Sequence, residues 1–248
     1  MSFDAHPRSS LIVALDFDSL STAVKFARQI AHLVGMFKIG SQLFTTAGPE
    51  AVRQVADLGP GIFLDLKFHD IPNTVAAAVL ASAALPGVQL VNIHALGGAA
   101  MMKAAAQAIS AGVPMGADRA RLLAVTVLTS MDHKAIRDVG ISGPPKTRVL
   151  KLAKLAQAAG VDGVVASVQE AKAIRKACGR EFLIVTPGVR PQIMSEKTAK
   201  DDQARTATPG EAMRAGADYV VVGRPITAAR DPKAAAQEIV EEIEAAKA

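Results

Sequence analysis

Cysteine and aromatic residues are scarce in this sequence, which has one cysteine, one tyrosine and no tryptophan among 248 residues. A single thiol cannot form an internal disulfide, and Cys178 has no CxxC or Cys/His neighbours that would indicate a zinc site. Its apolar-periodic surroundings predict a buried structural side chain. The shortage of aromatics also removes the stacking platform on which single-stranded nucleic acids bind.

Long hydrophobic runs are missing too, although half of the residues are hydrophobic. No apolar run approaches the roughly 18 residues that span a bilayer, so we expect no membrane partner. The start, MSFDAHPRSS, lacks a basic segment followed by an apolar one. We therefore expect no export signal and a cytoplasmic protein.

The charge is moderately basic, with a net value of +5 and a pI of about 9.4. Basic residues never run three together, and acids are interleaved with them, as in RQVAD and EAKAIRK. This pattern does not favour nucleic-acid binding. It fits a protein that attracts a small anionic molecule.

Short apolar runs recur along the chain, bounded by Gly, Pro, Asp or Ser. They are LIVALD (11–16), MFKIG (36–40), GIFLDLK (61–67), LVNIHA (90–95), LLAVTVLTS (122–130), GVVAS (163–167), FLIVTPG (182–188) and YVVVGRPI (219–226). They do not alternate apolar and polar residues, which is typical of parallel strands buried on both faces.

Alanine-rich segments with helical spacing separate these runs. We predict that Ser21 caps the first helix, that Pro72 lies in the first turn of another, that Gly160 follows a helix and that Asp231-Pro232 opens the last. Strand followed by helix, eight times over, predicts an α/β protein with a (β/α)8 TIM barrel. No Pro/Gly/Ser linker interrupts residues 1–248, so we expect a single domain. A doubly wound sheet is the alternative, but LDFDSLS after the first strand lacks the usual glycines.

In a barrel of this kind, chemistry belongs at the carboxyl ends of the strands. Asp65 and Lys67 are two residues apart on a predicted strand, so their side chains share a face, and Asp70 follows in the loop. Burying an ion costs several kcal/mol unless it is paired. A lysine between two carboxylates stays an ammonium, which can stabilise negative charge or deliver a proton.

A structural salt bridge is the alternative for this triplet, with Asp70 capping the helix that begins near Pro72. Lys38, in FKIG, is another charge in an apolar strand, and Asp16 ends the first strand, where it could also begin a turn. Charges on three adjacent strands favour a functional site.

The motif D-x-K-x-x-D, followed by IPNT, resembles that of the orotidine 5′-monophosphate decarboxylase family. Further segments that resemble this family are ALDF, FKIG, TVLTS, TPGVRP and VVGRPI, spread from residue 11 to residue 226. The D-x-K-x-x-D motif alone is shared with related sugar-phosphate enzymes. The full set of motifs is far more specific.

The resemblance implies decarboxylation of orotidine 5′-monophosphate to uridine 5′-monophosphate without a cofactor. It implies that Lys67 protonates C6 of the pyrimidine and stabilises the carbanion, and that Asp65 lies near the substrate carboxylate. It implies that Lys38 and Asp16 hold the ribose and complete the charged array.

The resemblance also implies a homodimer in which Asp70, Ile71 and Thr74 reach the partner's site. The remaining residues that it places at the substrate are Thr129 and Ser130 at the pyrimidine, Gln203, Gly223 and Arg224 at the phosphate, Arg190 on the same loop as Gln203, and Pro187 at the end of the seventh strand.

The phosphate assignment also follows from the barrel itself, which often binds phosphate with the loops after strands 7 and 8. Gly223 frees the backbone for close approach, and Arg224 presents a fork to an oxyanion. An exposed arginine and an ordinary turn glycine are the alternatives. The polar, non-periodic segment 189–207 predicts a lid that uses Arg190 and Gln203, with an unordered loop as its alternative.

Two histidines stay outside the predicted site. His94 ends the fourth strand and could face the site, but a core histidine explains it equally well; His69 lies within the motif, whose other residues suffice. Neither forms a metal site by its spacing, so we predict no metal and no cofactor. The rival functions are a metal-dependent 3-hexulose-6-phosphate synthase or keto-gulonate-phosphate decarboxylase, and a non-catalytic phosphate-ligand sensor. TVLTS and the long TPGVRP loop favour the nucleotide enzyme.

Overall fold

The computed structural model describes residues 7–112, 119–191 and 207–247. Eight parallel strands form a closed barrel, in which each strand pairs with the next and the last pairs with the first. The predicted barrel is therefore confirmed. The strands are β1 (Leu11–Ala14), β2 (Met36–Gly40), β3 (Gly61–Phe68), β4 (Val88–His94), β5 (Arg121–Val125), β6 (Gly163–Val165), β7 (Leu183–Pro187) and β8 (Tyr219–Val222).

Helices follow the strands along the chain. They are α1 (Leu20–Ile30), α2 (Ser41–Ala47), α3 (Pro49–Ala56), α4 (Pro72–Ala83), α5 (Gly98–Ala111), α6 (His133–Asp138), α7 (Pro145–Ala158), α8 (Val168–Cys178), α9 (Pro209–Arg214), α10 (Arg224–Thr227) and α11 (Pro232–Lys247). None of the helices built from the described residues combines the length and apolar character needed to cross a bilayer. Cys178 is buried as predicted, and burial raises the pKa of its thiol.

The helix ends confirm most of the predicted capping residues. Pro72 is the first residue of α4, Gly160 follows α7 with φ of +84°, and Asp231 accepts hydrogen bonds from two amides in the first turn of α11. The prediction for α1 was wrong by two residues. Ser19 is the N-cap, because its extended backbone lets its side chain accept from the Thr22 amide, whereas Ser21 lies inside the helix.

The interior of the barrel changes from apolar to polar along its axis. Buried apolar side chains close it towards the amino ends of the strands: Ile12, Met36, Phe63, Leu90, Leu123, Leu183 and Tyr219. Side chains alternate along a strand, so the position two residues further on also faces inward. On β2, β3 and β4 those positions carry Lys38, Asp65 and Asn92. The apolar layer thus supports polar groups at the carboxyl ends.

Two predicted strands, 122–130 and 219–226, end four or five residues earlier than expected. β5 stops at Val125, and both the amide and the hydroxyl of Thr126 donate to the carbonyl of Val165, where β6 also ends. β8 stops at Val222, because Gly223, with φ of −112° and ψ of −108°, leaves the extended conformation and becomes the N-cap of α10. Thr129 and Ser130 consequently lie in a loop, and Arg224 begins a short helix.

The amino ends of the strands are held by buried or half-buried carboxylates. Asp162 accepts two hydrogen bonds from the Arg119 guanidinium, at 2.6 and 2.7 Å, and one from the Leu122 amide at 2.8 Å. Asp218 accepts from Arg175 at 2.6 Å and from the Ile184 amide at 2.7 Å. Each carboxylate therefore fixes the start of a strand. These contacts lie at the amino-terminal face of the barrel, which in such folds contributes to stability rather than to catalysis.

Candidate active site

A cavity of about 380 Å³ opens at the carboxyl ends of the strands. Its volume lies within the range of small-molecule sites. The predicted substrate residues that line it are Asp16, Lys38, Asp65, Lys67, Thr129, Ser130, Pro187, Arg190, Gly223 and Arg224. Apolar side chains, including Phe63, Val125 and Val221, form its floor and walls. The structure thus gathers most of the predicted residues around one cavity.

Four charges of alternating sign form a chain along one side of this cavity. The Lys38 ammonium lies 3.1 Å from Asp16 and 3.3 Å from Asp65, and the Lys67 ammonium lies 2.7 Å from the other oxygen of Asp65. β1, β2 and β3 are adjacent, which brings the three strand ends together. The predicted clustering of charges on neighbouring strands is therefore present.

Burial and pairing act in opposite directions on the two central groups. Burial alone would lower the pKa of Lys38, but the carboxylates of Asp65 and Asp16 outweigh it, and the pKa is raised. Burial alone would raise the pKa of Asp65, but the ammonium groups of Lys38 and Lys67, with hydrogen bonds from Lys67 and Asn92, lower it. Both groups are therefore charged at neutral pH, fixed and largely shielded from water.

The backbone at Lys67 departs from regular strand geometry. Its φ is +53°, and among the described residues no other non-glycine residue has a positive φ. The pairing of β3 with β4 also shifts register between Leu64 and Phe68. Such a conformation costs on the order of 1–3 kcal/mol and persists only where the surroundings hold it. The Lys67 side chain is more accessible than that of Asp65, at 36% against 9%, so its ammonium can reach a ligand in the cavity.

Two residues next to the charged array were not among the site residues predicted from the sequence. Asn92 is 1% exposed and donates to Asp65 at 2.6 Å. Gly40 passes so close to the array that a Cβ there would lie 3.0 Å from the Lys38 ammonium and 3.3 Å from Asp16. Asn92 could have been found from the sequence, because it is a polar residue inside the apolar strand LVNIHA. Nothing in the sequence indicated Gly40, whose importance depends on its closeness to the ends of the Lys38 and Asp16 side chains.

The predicted dimer residues Asp70, Ile71 and Thr74 lie outside the cavity and are exposed. Ile71 is 66% exposed, the highest fraction among the exposed large apolar side chains of the described residues. Asp70 accepts from the Ile71 amide at 2.6 Å, but the N-cap of α4 is Ile71, without a side-chain cap. The alternative in which Asp70 caps this helix is therefore wrong.

Two arginines of the cavity lining, Arg190 and Arg224, follow β7 and β8. β7 is four strands from β3 in either direction around the barrel, so Arg190 follows a strand opposite the charged array. The ends of the segment predicted as a lid meet, since the Arg190 amide donates to the Ala207 carbonyl at 2.9 Å. Gln203 and residues 192–206, which include most of that segment, lie outside the described residues.

The surroundings of Gly223 leave space beside Arg224. Gly223 has φ of −112°, so its backbone does not require glycine, and a Cβ there would meet only Ala14, at 3.7 Å. The described part of the chain therefore does not fill the space next to Gly223, and its predicted approach to a phosphate stays a prediction. Arg224 is exposed at the rim of the cavity.

The two histidines omitted from the predicted site are neighbours. Their ring centroids lie 5.5 Å apart, and neither lines the cavity. Within the described part of the chain, His94 Nδ1 is buried without a hydrogen-bond partner. Burial, His69 and Lys67 lower the pKa of His94. Residues 7–112, 119–191 and 207–247 hold no group of three or more His, Cys, Asp or Glu side chains that could bind a metal ion.

Comparison with known proteins adds an independent result. Residues 9–239 match the family model described as "Orotidine 5′-phosphate decarboxylase / HUMPS family". The chain is 52% identical over 233 residues to a protein of Geobacter sp. (strain M21) named orotidine 5′-phosphate decarboxylase, covering 94% of this chain and 95% of that protein. A protein of the same name from Trichlorobacter lovleyi is 53% identical over 236 residues, covering 95% of each.

A solved structure agrees with these sequence relatives. The crystal structure of orotidine 5′-phosphate decarboxylase from Lactobacillus acidophilus superimposes with a TM-score of 0.79 at 40% sequence identity. It covers 94% of this chain and 98% of that one. The similarity therefore extends over nearly the whole barrel, including the strand ends that surround the cavity.

Proposed function

Because the chain belongs to the orotidine 5′-phosphate decarboxylase / HUMPS family, we propose that it converts orotidine 5′-monophosphate to uridine 5′-monophosphate and CO2. This reaction is the last step of de novo pyrimidine nucleotide synthesis. The observation that carries the proposal is the alternating array of Asp16, Lys38, Asp65 and Lys67 beside the cavity. Such an array suits a reaction in which charge moves within the substrate.

In the proposed reaction the bond between C6 and the carboxyl carbon breaks, and its electron pair stays on C6. The pair occupies an sp² orbital in the plane of the ring, so the π-system cannot delocalise it directly. A proton from the Lys67 ammonium then forms the new C6–H bond. Lys67 regains its proton from water, and CO2 and uridine 5′-monophosphate leave.

The stabilisation of this carbanion is electrostatic. Charges that are fixed before the reaction need no reorganisation when charge develops, and burial strengthens their effect. The ion pairs of Lys38 and Asp65 hold Lys67 in such a prepared setting. Enzymes in general lower barriers by about 8–23 kcal/mol, and this reaction belongs high in that range. We propose that neither a cofactor nor a metal ion takes part.

The remaining cavity residues suit the other parts of the nucleotide. The ribose lies at Asp16 and Lys38, and the pyrimidine at Thr129 and Ser130. The phosphate is bound across the cavity, since phosphate binding after strands 7 and 8 is common in these barrels. The residues proposed for this end of the substrate are Pro187, Arg190, Gln203, Gly223 and Arg224.

We propose that two chains complete each other's sites. Asp70, Ile71 and Thr74 follow the strand that carries Lys67, yet they are exposed and do not line the cavity of their own chain. Ile71 and Leu96 are exposed by 66% and 47%, which suits burial against a second copy. In this dimer Asp70 of one chain reaches the site of the other.

The chain organisation and location belong to the same proposal. β1 pairs with β8, and Lys247 near the end of the chain donates to Ser10 at 2.8 Å. These contacts support one domain over residues 1–248, and a single unfolding transition would be expected. We place the protein in the cytoplasm, where cell fractionation should find it.

The deciding test follows the ultraviolet absorbance of orotidine 5′-monophosphate with the purified protein, with and without EDTA, beside Lys67→Ala. We expect rapid loss of substrate that EDTA does not affect and that the variant abolishes. A folded protein that needs a divalent metal and acts on hexulose or keto-gulonate phosphates would support the sugar-phosphate alternative. Nucleotide binding without any turnover would support the sensor.

A further inference from the structure

The side-chain amide of Asn92 makes hydrogen bonds both to Asp65 and to the backbone of Lys67. Its Nδ2 donates to Asp65 Oδ1 at 2.6 Å, and its Oδ1 accepts from the Lys67 backbone amide at 2.8 Å. The Lys67 ammonium returns to the same Asp65 oxygen at 2.7 Å. Three hydrogen bonds thus close a ring through the backbone of Lys67, its side chain, Asp65 and Asn92.

The chemistry of this ring fixes the orientation of the amide. A backbone N–H only donates, and an ionised carboxylate only accepts. Asparagine provides one acceptor and one donor side by side, so it satisfies both neighbours at once. Aspartate would keep the acceptor but lose the donor, and alanine would lose both.

The ring lies where the backbone needs support. Lys67 has the left-handed φ of +53°, and the regular ladder between β3 and β4 is interrupted there. A side-chain oxygen from β4 therefore takes the place of a backbone partner for the Lys67 amide. Asn92 is 1% exposed, so water does not compete for these bonds.

We propose that Asn92 is a positioning residue for proton transfer, which holds the Lys67 backbone in its strained conformation and locks the ammonium against Asp65. The inference rests on the proposed function, because it names the step that the ring serves. Asn92 does not line the cavity and acts through Lys67 and Asp65. Its contribution should appear in kcat, since the residues proposed to bind the phosphate follow β7 and β8, which pair with neither β3 nor β4.

The experiment compares Asn92→Ala and Asn92→Asp with the wild type by steady-state kinetics between pH 5 and pH 9. For Asn92→Ala we expect kcat to fall about 100-fold, as small misplacements of reacting groups do, with KM nearly unchanged. For Asn92→Asp we expect low activity at neutral pH and recovery as the pH falls. The protonated carboxyl again donates to Asp65 and accepts from Lys67.

Thr126→Val is the matched control. Thr126 is also fully buried at the end of a neighbouring strand, and its hydroxyl donates to the Val165 carbonyl at 3.1 Å, away from the charged array. Urea unfolding should show that Asn92→Ala and Thr126→Val are both destabilised, but only the Asn92 variants should lose kcat. A wild-type kcat in Asn92→Ala, or an Asn92→Asp profile without acid recovery, would overturn the proposal.

A crystal structure of Asn92→Ala separates this inference from the proposed function. We expect the Lys67 φ to leave the left-handed region once its amide loses the Asn92 oxygen, whichever substrate the protein uses. If the wild type fails to consume orotidine 5′-monophosphate while Lys67 still relaxes in the variant, the proposed function is wrong and the positioning contact stands. An unchanged Lys67 backbone would refute the positioning role itself.

Discussion

The ammonium of Lys67 lies 2.7 Å from the carboxylate of Asp65, on the same strand and beside the same cavity. With Lys38 and Asp16, the pair forms an array whose formal charges sum to zero. A substrate carboxylate that enters this array adds a negative charge next to Asp65. In the proposed reaction, loss of CO2 moves this charge from the carboxylate to C6, where a proton from the Lys67 ammonium neutralises it.

Replacing Asp65 with asparagine tests whether this arrangement favours the reaction over substrate binding. We expect Asp65→Asn to lower kcat about 100- to 1000-fold, the usual effect of removing one member of a prepared electrostatic site. Substrate binding should tighten relative to binding of uridine 5′-monophosphate, which lacks the carboxylate. Steady-state kinetics and product inhibition measure both quantities.

Asp65 would also raise the rate if its negative charge repelled the substrate carboxylate in the bound complex. Destabilisation of a bound substrate is difficult to separate from loss of transition-state stabilisation. If kcat of Asp65→Asn equals that of the wild type, the carboxylate contributes nothing to the rate. If kcat falls while the two affinities change in parallel, Asp65 acts only through the position of Lys67.

The difference in stability between the wild type and Asp65→Asn should depend on pH. The pKa of Asp65 is lowered from 3.8 in the folded chain, because Lys38 and Lys67 outweigh its burial. A depressed carboxyl pKa stabilises the fold above the unfolded value, and this stability is lost as the pH falls through the folded value. The difference in unfolding free energy between wild type and Asp65→Asn should be constant above about pH 5 and shrink below it.

Urea unfolding at a series of pH values measures this difference. Subtraction of the two proteins removes the contributions of the other acids that both share. The raised pKa of Lys38 adds a matching expectation, with stability present below 10.5 and lost as the pH rises through its folded value. A difference between wild type and Asp65→Asn that grows on acidification would contradict the lowered pKa.

The barrel and its charged array could be predicted from the sequence because both leave strong patterns. Continuous apolar runs identify buried parallel strands. A charged side chain within such a run, as at Lys38 or Lys67, is destabilising unless it is paired, so it indicates a functional site. Asn92 left a weaker pattern, since an uncharged polar residue in a strand has many structural explanations. Its partners became visible only with the register of β3 against β4.

Other features depended on contacts that no local pattern encodes. The left-handed Lys67 conformation contradicts the preference of its residue type and is held by tertiary contacts. Ser19 and Ser21 are equally good capping residues by type, and only the backbone conformation decides between them. The exposure of Asp70 and Ile71 is a property of the folded chain rather than of the motif that contains them.

The opposite end of the barrel should govern stability without affecting the reaction. Asp162→Ala removes the acceptor of two Arg119 hydrogen bonds and of the Leu122 amide. We expect a loss of about 2 kcal/mol in unfolding free energy, as for hydrogen bonds to a charged group. The kcat measured at a temperature where both proteins are folded should not change.

Lys134→Ala is the control for this prediction. Lys134 pairs with Asp138 at 2.6 Å, but their side chains are 76% and 57% exposed, so water screens the pair and its loss should hardly alter stability. Equal destabilisation by the two variants would show that the buried position of Asp162 is not the cause. A kcat loss in Asp162→Ala would show that the two ends of the barrel are coupled.

Hybrid dimers test whether Asp70 acts in the partner's site. Asp70→Ala and Lys67→Ala should each be inactive as homodimers. After mixing and subunit exchange, half of the chains in a random population form hybrids, and each hybrid contains one site with both Lys67 and Asp70 intact. We expect activity to return with the time course of exchange, measured by the absorbance assay.

Exchange must be followed independently, for example by mass spectrometry of differently tagged chains. A mixture of Lys67→Ala with Lys67→Met chains is the control, because no combination restores the lysine. Proven exchange without activity would place Asp70 in its own chain's site. Activity in the control mixture would indicate wild-type contamination.

Remote binding of the phosphate should contribute to the rate as well as to affinity. Energy from a part of the substrate that does not react can organise the charged array across the cavity. We expect the nucleoside orotidine, which lacks the phosphate, to lose kcat/KM drastically. Arg224→Ala should lose much of kcat/KM for the nucleotide and little for the nucleoside, because the nucleoside has nothing for Arg224 to bind.

Arg230→Ala provides the control, since Arg230 is an exposed arginine shortly after α10 that does not line the cavity. Steady-state kinetics with both substrates give a two-by-two comparison in which only Arg224→Ala should depend on the phosphate. Equal turnover of nucleoside and nucleotide by the wild type would refute the contribution of the phosphate. An equal loss for both substrates in Arg224→Ala would mean that Arg224 acts on the fold or on the ring, because the loss of a phosphate contact cannot affect a substrate that has no phosphate.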